Sequence, residues 1–175
     1  MKRLLFALTM MAWSMFPPVV DTAHGGQSLA DALTGLPVIR GTQPTHGDLE
    51  GQVVMVAFFA SWCPPCKHEF PHLNTVQDAY GGDGLRIVAV NVFETFDGLS
   101  TPDKLEIFLD EVAPIFPILK GNAETRRSFG NLDRIPTLFV FDREGAPAFI
   151  FRHERDAEKT HLTEEELRAA IEPLL

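Results

Sequence analysis

The chain has 175 residues and a formal net charge of −9 at pH 7. This length suits one domain of ordinary size, with a hydrophobic core of its own, plus a short additional segment. The acidic residues are scattered and no block of Lys and Arg follows the first three residues, which argues against nucleic acid or an anionic membrane surface as a partner.

The N-terminal segment has the pattern of an export signal. The basic start MKR is followed by the apolar run LLFALTMMAWSMF and by Pro17 and Pro18, which break a helix. We interpret residues 1–23 either as a signal peptide or as a retained membrane anchor that tethers the protein to the inner membrane. Both interpretations predict a periplasmic or otherwise extracytoplasmic domain, in a compartment where disulfides form and persist. The small and polar residues 24–35 are interpreted as a linker, so that the folded domain is expected to span residues 36–175.

Strand and helix patterns alternate along the predicted domain. Strands are predicted over the apolar runs LPVIR, VVMVAFFA, LRIVAVNV, FPILK, IPTLFVF and PAFIFRH, and a turn over GDLEGQ. Helices are predicted after the cysteines up to a pair of glycines, from Pro102, over NAETRRS, and from the capping box of Thr163 and Glu166. The second run has no polar interruption, which is typical of a parallel central strand buried on both faces. The pattern predicts an α/β domain with a mixed central sheet flanked by helices.

Both cysteines of the chain lie three positions apart in the segment FFASWCPPCKHEFP. Cys63 is predicted to lie where a buried strand ends and a helix begins, so that the free amides and positive end of that helix stabilise its thiolate. Cys66, one turn later on the same face, is within reach to resolve a mixed disulfide. A static bridge over so short a loop removes little chain entropy, so the spacing favours a reaction centre over a structural staple.

The segment DLEGQVVMVAFFASWCPPCKHEFPHL resembles the active-site segment of thioredoxin-fold proteins. The resemblance is greatest to exported TlpA/ResA-like thiol-disulfide oxidoreductases, which include the CcmG-type reductases of cytochrome c maturation. It extends beyond the cysteines to Trp62, Lys67, Glu69 and Pro71. The later segment DRIPTLFVFDREG resembles the cis-proline segment of the same family, which makes Pro136 the expected cis residue. The resemblance covers the whole predicted domain and includes a helix-bearing insertion between AVNV and FPILK.

The resemblance implies a thioredoxin-like fold and a thiol-disulfide oxidoreductase that needs neither a cofactor nor a metal ion. Cys63 is then the nucleophile that attacks a protein disulfide, and Cys66 is the resolving thiol. A cis Pro136 is expected to expose the backbone of Ile135 to an extended substrate segment, and Trp62 is expected to shape the substrate contact surface. The implied direction is reduction of disulfides in exported proteins, such as those of cytochrome c maturation or copper-site thiols. The implied electron donor is a membrane thiol-disulfide carrier.

Glu69 has two interpretations. It follows Cys66 by three residues on one helix face, so it could change thiol pKa values and pass protons during exchange. Alternatively, it is a solvated carboxylate in the first turn that interacts favourably with the helix dipole. Where thioredoxins carry a buried aspartate, six residues before the first cysteine, this sequence has Ala57. The thioredoxin proton route is therefore absent.

Two other functions remain open at this stage. The cysteines together with His68 or His72 could bind Cu(I) or Zn, since these histidines lie four residues apart on one helix face, and the protein would then be a metal carrier. The cysteine pair could also act as a disulfide-forming oxidant. The redox direction depends on the relative stabilities of the thiol and disulfide forms and not on the motif.

Overall fold

The computed structural model describes residues 28–99, 101–154 and 156–175. Within these ranges, six strands form one mixed sheet in the order β1-β4-β3-β2-β5-β6. The strands are β1 (Val38–Arg40), β2 (Val53–Phe59), β3 (Leu85–Asn91), β4 (Ile118–Lys120), β5 (Thr137–Phe141) and β6 (Pro147–Arg152). The predicted signal segment and the first part of the predicted linker lie outside the described residues.

Helices flank this sheet. The α-helices are α1 (Leu29–Thr34), α2 (His46–Leu49), α3 (Pro64–Tyr80), α4 (Pro102–Val112), α5 (Ala123–Ser128) and α6 (Glu164–Ile171), with short 3-10 segments at Gly81–Asp83, Phe96–Gly98 and Glu172–Leu174. This order of elements confirms the predicted α/β class, and α4 is the predicted helix of the insertion. Within the described ranges, no helix combines the length and the apolar character needed to cross a bilayer.

Strand β2 is the centre of the sheet, and all seven of its residues are buried. It pairs in parallel with β3 and in antiparallel orientation with β5. The prediction of a parallel central strand is therefore correct on one side only. A strand covered on both faces has the same apolar sequence whether its neighbour runs parallel or antiparallel, so the pattern could not distinguish the two.

Aromatic side chains anchor both faces of β2 near its C-terminal end. The ring of Phe59 contacts Phe70 of α3 and Phe108 of α4, at centroid distances of 4.9 and 5.3 Å. The preceding Phe58 points to the opposite face, where its ring lies 4.9 Å from that of Phe129 and 6.0 Å from that of Phe139. The last residues of β2 are thus packed on both sides, which limits movement of the turn that follows.

The structure corrects the predicted start of the folded domain. Residues 29–34, within the predicted linker 24–35, form α1, which begins with a capping box between Ser28 and Asp31. Ala30 and Leu33 of this helix are buried in the core. Small residues in the segment suggested a linker, but the two buried apolar residues at helical spacing make it part of the domain.

Helix α2 is a second short element that differs from the prediction. It begins with a capping box between Thr45 and Asp48, and it buries Leu49. The segment GDLEGQ is therefore helical over its first half, and only residues 50–52 form the expected turn. Four helical residues are too few to produce a periodic pattern in the sequence.

Because Leu33 is fully buried, we expect Leu33→Ala to lower the free energy of unfolding by about 2–5 kcal/mol, the usual range for a large-to-small change in a core. Urea denaturation of the disulfide form measures this change. Ile107→Ala is the matched control, since Ile107 is 56% exposed, and should change the free energy of unfolding by no more than about 0.5 kcal/mol. Equal effects of the two substitutions would show that α1 does not pack as described.

Candidate active site

The two cysteines lie at the junction between β2 and α3 and are joined by a disulfide, with their Cα atoms 5.4 Å apart. Cys63 is the N-cap of α3, and its Sγ accepts a hydrogen bond from the Cys66 N–H at 3.3 Å. Pro64 and Pro65 occupy the first helical positions, where an amide has no acceptor within the helix and proline is therefore tolerated. The Cys63 sulfur thus lies at the positive end of the helix, as the sequence predicted.

Both cysteines are buried, and only 3% of Cys63 is exposed. A protruding group reaches a residue that is covered to this extent more easily than a flat surface does. The geometry at the active site therefore favours contact with an extended chain or a small molecule.

The cis-proline lies at the same edge of the sheet. The peptide bond between Ile135 and Pro136 is cis, as the resemblance implied. The next residue, Thr137, is paired with Phe58 near the end of β2. Since Cys63 follows β2 closely, the sheet register brings the cysteine pair and the I-P-T segment to one edge. The Ile135 carbonyl oxygen lies 3.4 Å from Nδ1 of His153, so this acceptor already has a neighbour, and the predicted pairing of Ile135 with a substrate stays a prediction.

Trp62 is half-buried and held in a fixed orientation. Its indole Nε1–H donates a hydrogen bond to the Phe93 carbonyl oxygen at 2.9 Å. Its ring stacks on that of Phe96, with the centroids 5.8 Å apart and an angle of 29° between the planes. The residue before Cys63 is therefore tied to the loop that follows β3. Its predicted contact with substrate stays a prediction.

Glu94 is a site residue that the sequence analysis missed. Its carboxylate accepts hydrogen bonds from the Ser61 N–H at 3.0 Å, from the Ser61 hydroxyl, and from the Asn91 side-chain amide at 2.6 Å. These contacts hold the turn before Cys63 against the end of β3. The available signal was weak: a polar Asn91 near the end of a buried apolar strand, followed three residues later by an acid.

Glu69 is buried on the inner side of α3, with 3% of the residue exposed. One carboxylate oxygen accepts a hydrogen bond from the Leu162 N–H at 3.0 Å, in the segment before α6. Burial raises the pKa of Glu69 to about 7, although the Leu162 hydrogen bond acts in the opposite direction. The alternative of a solvated carboxylate is wrong, because α6 and the segment before it cover this face of α3.

Among the described residues, Glu69 is the one acid whose side chain is buried. Ala57 is also buried in β2, and no carboxylate occupies the position of the thioredoxin aspartate. A carboxyl group with a pKa near 7 is divided between its neutral and charged forms at physiological pH. This is the property expected of a group that exchanges protons with a reacting thiol.

The histidines of α3 have a partner other than the cysteines. His68 and His72 contact His161, with ring centroids 5.7 and 6.3 Å apart respectively. Partial burial, together with these two imidazoles, lowers the pKa of His161. In the part of the chain that the structure describes, no three His, Cys, Asp or Glu side chains are arranged to hold a metal ion. The geometry therefore gives no support to a ligand set that combines the cysteines with either histidine.

Comparison with known proteins defines the class. Residues 33–146 match the AhpC/TSA family. The chain is 31% identical over 107 residues to the thiol-disulfide oxidoreductase ResA of Geobacillus kaustophilus. This alignment covers 61% of this chain and 58% of the relative. It is 30% identical over 149 residues to the sporulation thiol-disulfide oxidoreductase A of Bacillus subtilis, covering 82% of this chain and 86% of the relative. The structure of a thiol:disulfide interchange protein, DsbE, from Chlorobium tepidum aligns with a TM-score of 0.62 and 31% identity, over 79% of this chain and 90% of that one.

A thioredoxin-like fold with a Cys-x-x-Cys pair at the start of a helix defines the class of thiol-disulfide oxidoreductases. The chain belongs to the AhpC/TSA family, and its relatives are of the ResA and DsbE type. The resemblance found in the sequence is thereby confirmed. The matched region spans little more than half of the Geobacillus relative, so direction, substrates and partners are matters for proposal.

We expect Glu69→Gln to change how stability depends on pH. The pKa of Glu69 in the folded protein, about 7, lies above the roughly 4.3 of an unfolded glutamate. Between these two pH values Glu69 is protonated in the folded state and ionised in the unfolded state. The folded state binds more protons there, and its stability falls as pH rises through this window. Relative to Glu69→Gln, the wild type should lose on the order of 3 kcal/mol of unfolding free energy between about pH 4 and about pH 8.

Urea denaturation of the disulfide form at a series of pH values measures this difference. Glu165→Gln is the matched control, because Glu165 is an exposed glutamate of α6, and its curve should run parallel to that of the wild type. A parallel curve for Glu69→Gln as well would mean that Glu69 is not a buried proton-holding group.

Proposed function

We propose that the chain is an extracytoplasmic thiol-disulfide oxidoreductase that reduces disulfides in exported proteins, without a cofactor. The observation that supports this most directly is the position of Cys63 at the N-cap of α3, with Cys66 bonded to it and the cis Pro136 at the same sheet edge. The export-like pattern of residues 1–23 supports the extracytoplasmic location, either with a tether in the membrane or after removal of the segment.

The proposed reaction begins with the reduced protein. The Cys63 thiolate attacks one sulfur of a substrate disulfide, and the other substrate sulfur leaves as a thiolate. Cys66 then attacks the Cys63 sulfur of the mixed disulfide and releases the second substrate thiolate. The substrate gains two electrons and, after protonation, two protons, while Cys63 and Cys66 become the disulfide. Reduction of that disulfide by a membrane thiol-disulfide carrier, through the reverse exchange, restores the dithiol.

Glu69 is proposed to accept the proton of the Cys66 thiol as that thiol becomes the attacking group. It lies one helical turn after Cys66, and its pKa of about 7 keeps a usable fraction in the basic form at neutral pH. The Leu162 N–H keeps the carboxylate oriented. Protonated Glu69 can return the proton when the pair is reduced again.

The two prolines between the cysteines support the reducing direction. A strong oxidant of this kind owes its potential to stabilisation of its reduced form, in which the nucleophilic sulfur is a thiolate. Pro64 and Pro65 have no N–H groups, so the first turn offers fewer hydrogen bonds to the Cys63 thiolate than a turn of other residues would. Apocytochrome haem-attachment cysteines and copper-site thiols of exported proteins are the substrates that we propose on the resemblance to reductases.

The reduction potential of the Cys63–Cys66 couple tests the direction. We expect a value near or below about −250 mV on equilibration with glutathione and dithiothreitol buffers, as for thioredoxin-like reductants. A value near −120 mV, roughly that of a strong oxidant, would instead make the protein a disulfide donor. The difference between these two values is many times larger than the resolution of such titrations.

The two cysteines should give different results when each is replaced. We expect Cys66→Ser to accumulate a covalent mixed disulfide with an oxidised protein substrate, because the resolving attack is lost. Cys63→Ser should form little or none, since the remaining thiol is the less exposed of the pair and lacks the N-cap position. Non-reducing electrophoresis measures the adduct with a disulfide-bonded test protein such as insulin. Equal trapping by both variants would contradict the assignment of Cys63 as the nucleophile.

A further inference from the structure

Two large apolar side chains lie exposed on the loop between β3 and α4. Phe96 is 57% exposed and Leu99 is 42% exposed. The Leu99 N–H donates to the Phe96 carbonyl oxygen at 3.0 Å, so both residues belong to one hydrogen-bonded turn around the 3-10 segment. Phe96 stacks on Trp62, the residue that precedes Cys63. We call this patch the Trp62–Phe96–Leu99 surface.

The loop that carries this surface is fixed to the active-site turn. The Phe93 carbonyl oxygen accepts a hydrogen bond from the Trp62 indole N–H. The guanidinium of Arg126 lies 4.7 Å from the centre of the Phe93 ring. The φ of +57° at Phe93 is uncommon for an aromatic residue, and these contacts hold Phe93 in that conformation. Glu94 is bonded to Ser61 at the same place. The Phe96 ring is therefore held against Trp62, the residue before Cys63.

We propose that the Trp62–Phe96–Leu99 surface recognises an extended substrate segment that carries an aromatic or large aliphatic residue next to its reactive cysteine. The proposal rests on the function proposed above and names the kind of segment that the same site accepts. Trp62 is already predicted to contact the substrate. The proposal adds Phe96 and Leu99, both in the insertion, to that contact surface.

The occupant follows from the position of the nucleophile. Any substrate sulfur that reaches Cys63, which is 3% exposed, brings its neighbouring chain close to Trp62, the preceding residue. The stacked rings of Trp62 and Phe96 form one apolar surface. The substrate side chain next to the reacting substrate cysteine can pack against this surface. Exposed apolar patches next to a reaction centre indicate binding of an apolar partner group.

Two synthetic peptides test the proposal. Each contains an intramolecular disulfide between two cysteines, and they differ only in the residue before the first cysteine, which is Phe in one and Ser in the other. The reduced full-length protein is mixed with each peptide, and chromatography of the products gives kcat/KM for disulfide reduction. We expect the Phe peptide to be preferred by at least about five-fold, within the range known for a single aromatic contact.

The preference of the variants decides where the Phe side chain binds. Phe96→Ser and Leu99→Ser should each reduce the ratio of the two kcat/KM values, and Phe96→Ser should bring it close to one. Ile107→Ser is the matched control: Ile107 is 56% exposed but lies on α4 outside this surface, so its ratio should equal that of the wild type. The ratio is independent of any general loss of active protein, and circular dichroism verifies that each variant is folded.

Four results would overturn the proposal. The first is equal reduction of both peptides by the wild type, which leaves the proposed function intact and removes the recognition surface alone. The second is a preference that Phe96→Ser retains. The third is a change of oligomeric state in Phe96→Ser without a change of preference, which would make the patch a contact between two copies of the chain. Reduction of neither peptide would reject the proposed function and this surface with it. If the potential identifies an oxidant, the same ratios are measured for oxidation of the dithiol peptides.

Discussion

The direct passage of the chain from β2 into α3 is the constraint on which the site depends. Phe58 and Phe59 are packed against opposite sides of the sheet, so the strand end cannot shift toward either face. A short turn then places Cys63 at the N-cap, where its sulfur accepts the Cys66 N–H and lies at the positive end of the helix. Core packing thus determines the electrostatic environment of the sulfur, and this environment is the basis of thiol reactivity.

Three distant parts of the chain complete this junction. Glu94 lies in the loop after β3 and holds the turn before the cysteines. The pairing of β5 with β2 places the cis Pro136, which precedes β5, at the same edge of the sheet. The segment before α6 delivers the Leu162 amide to Glu69, although the two residues are 93 positions apart. Because the C-terminal segment covers this face of α3 and keeps water from Glu69, the raised pKa of Glu69 depends on the packing of that segment. Folding and proton chemistry are therefore coupled in this domain.

The insertion contributes to the site as well as to the core. Its helix α4 packs Phe108 against Phe59 and Phe70, and the loop before it carries Phe96 beside Trp62. Lys67 at the start of α3 forms an ion pair with Glu111 of α4 at 2.5 Å, but both side chains are half exposed and the pair adds little stability. The insertion is therefore fixed mainly by apolar contacts, and its exposed aromatic residue Phe96 stacks on Trp62, the residue before Cys63.

The sequence by itself determined the α/β class, most of the strands and helices and the cysteine pair at a helix start, and its resemblance to a known family pointed to the proline that is cis. These features depend on residues close together in the chain, where periodicity, caps and motifs are visible. The sequence did not predict helices α1 and α2, because helices of six and four residues are too short to show a periodic apolar pattern. Only the tertiary structure decided that Glu69 is buried, that Glu94 holds the active-site turn, and that His68 and His72 face His161 instead of the cysteines. Each of these contacts joins residues from about 30 to more than 90 positions apart, and such pairings follow from how the elements pack and leave no local pattern in the sequence.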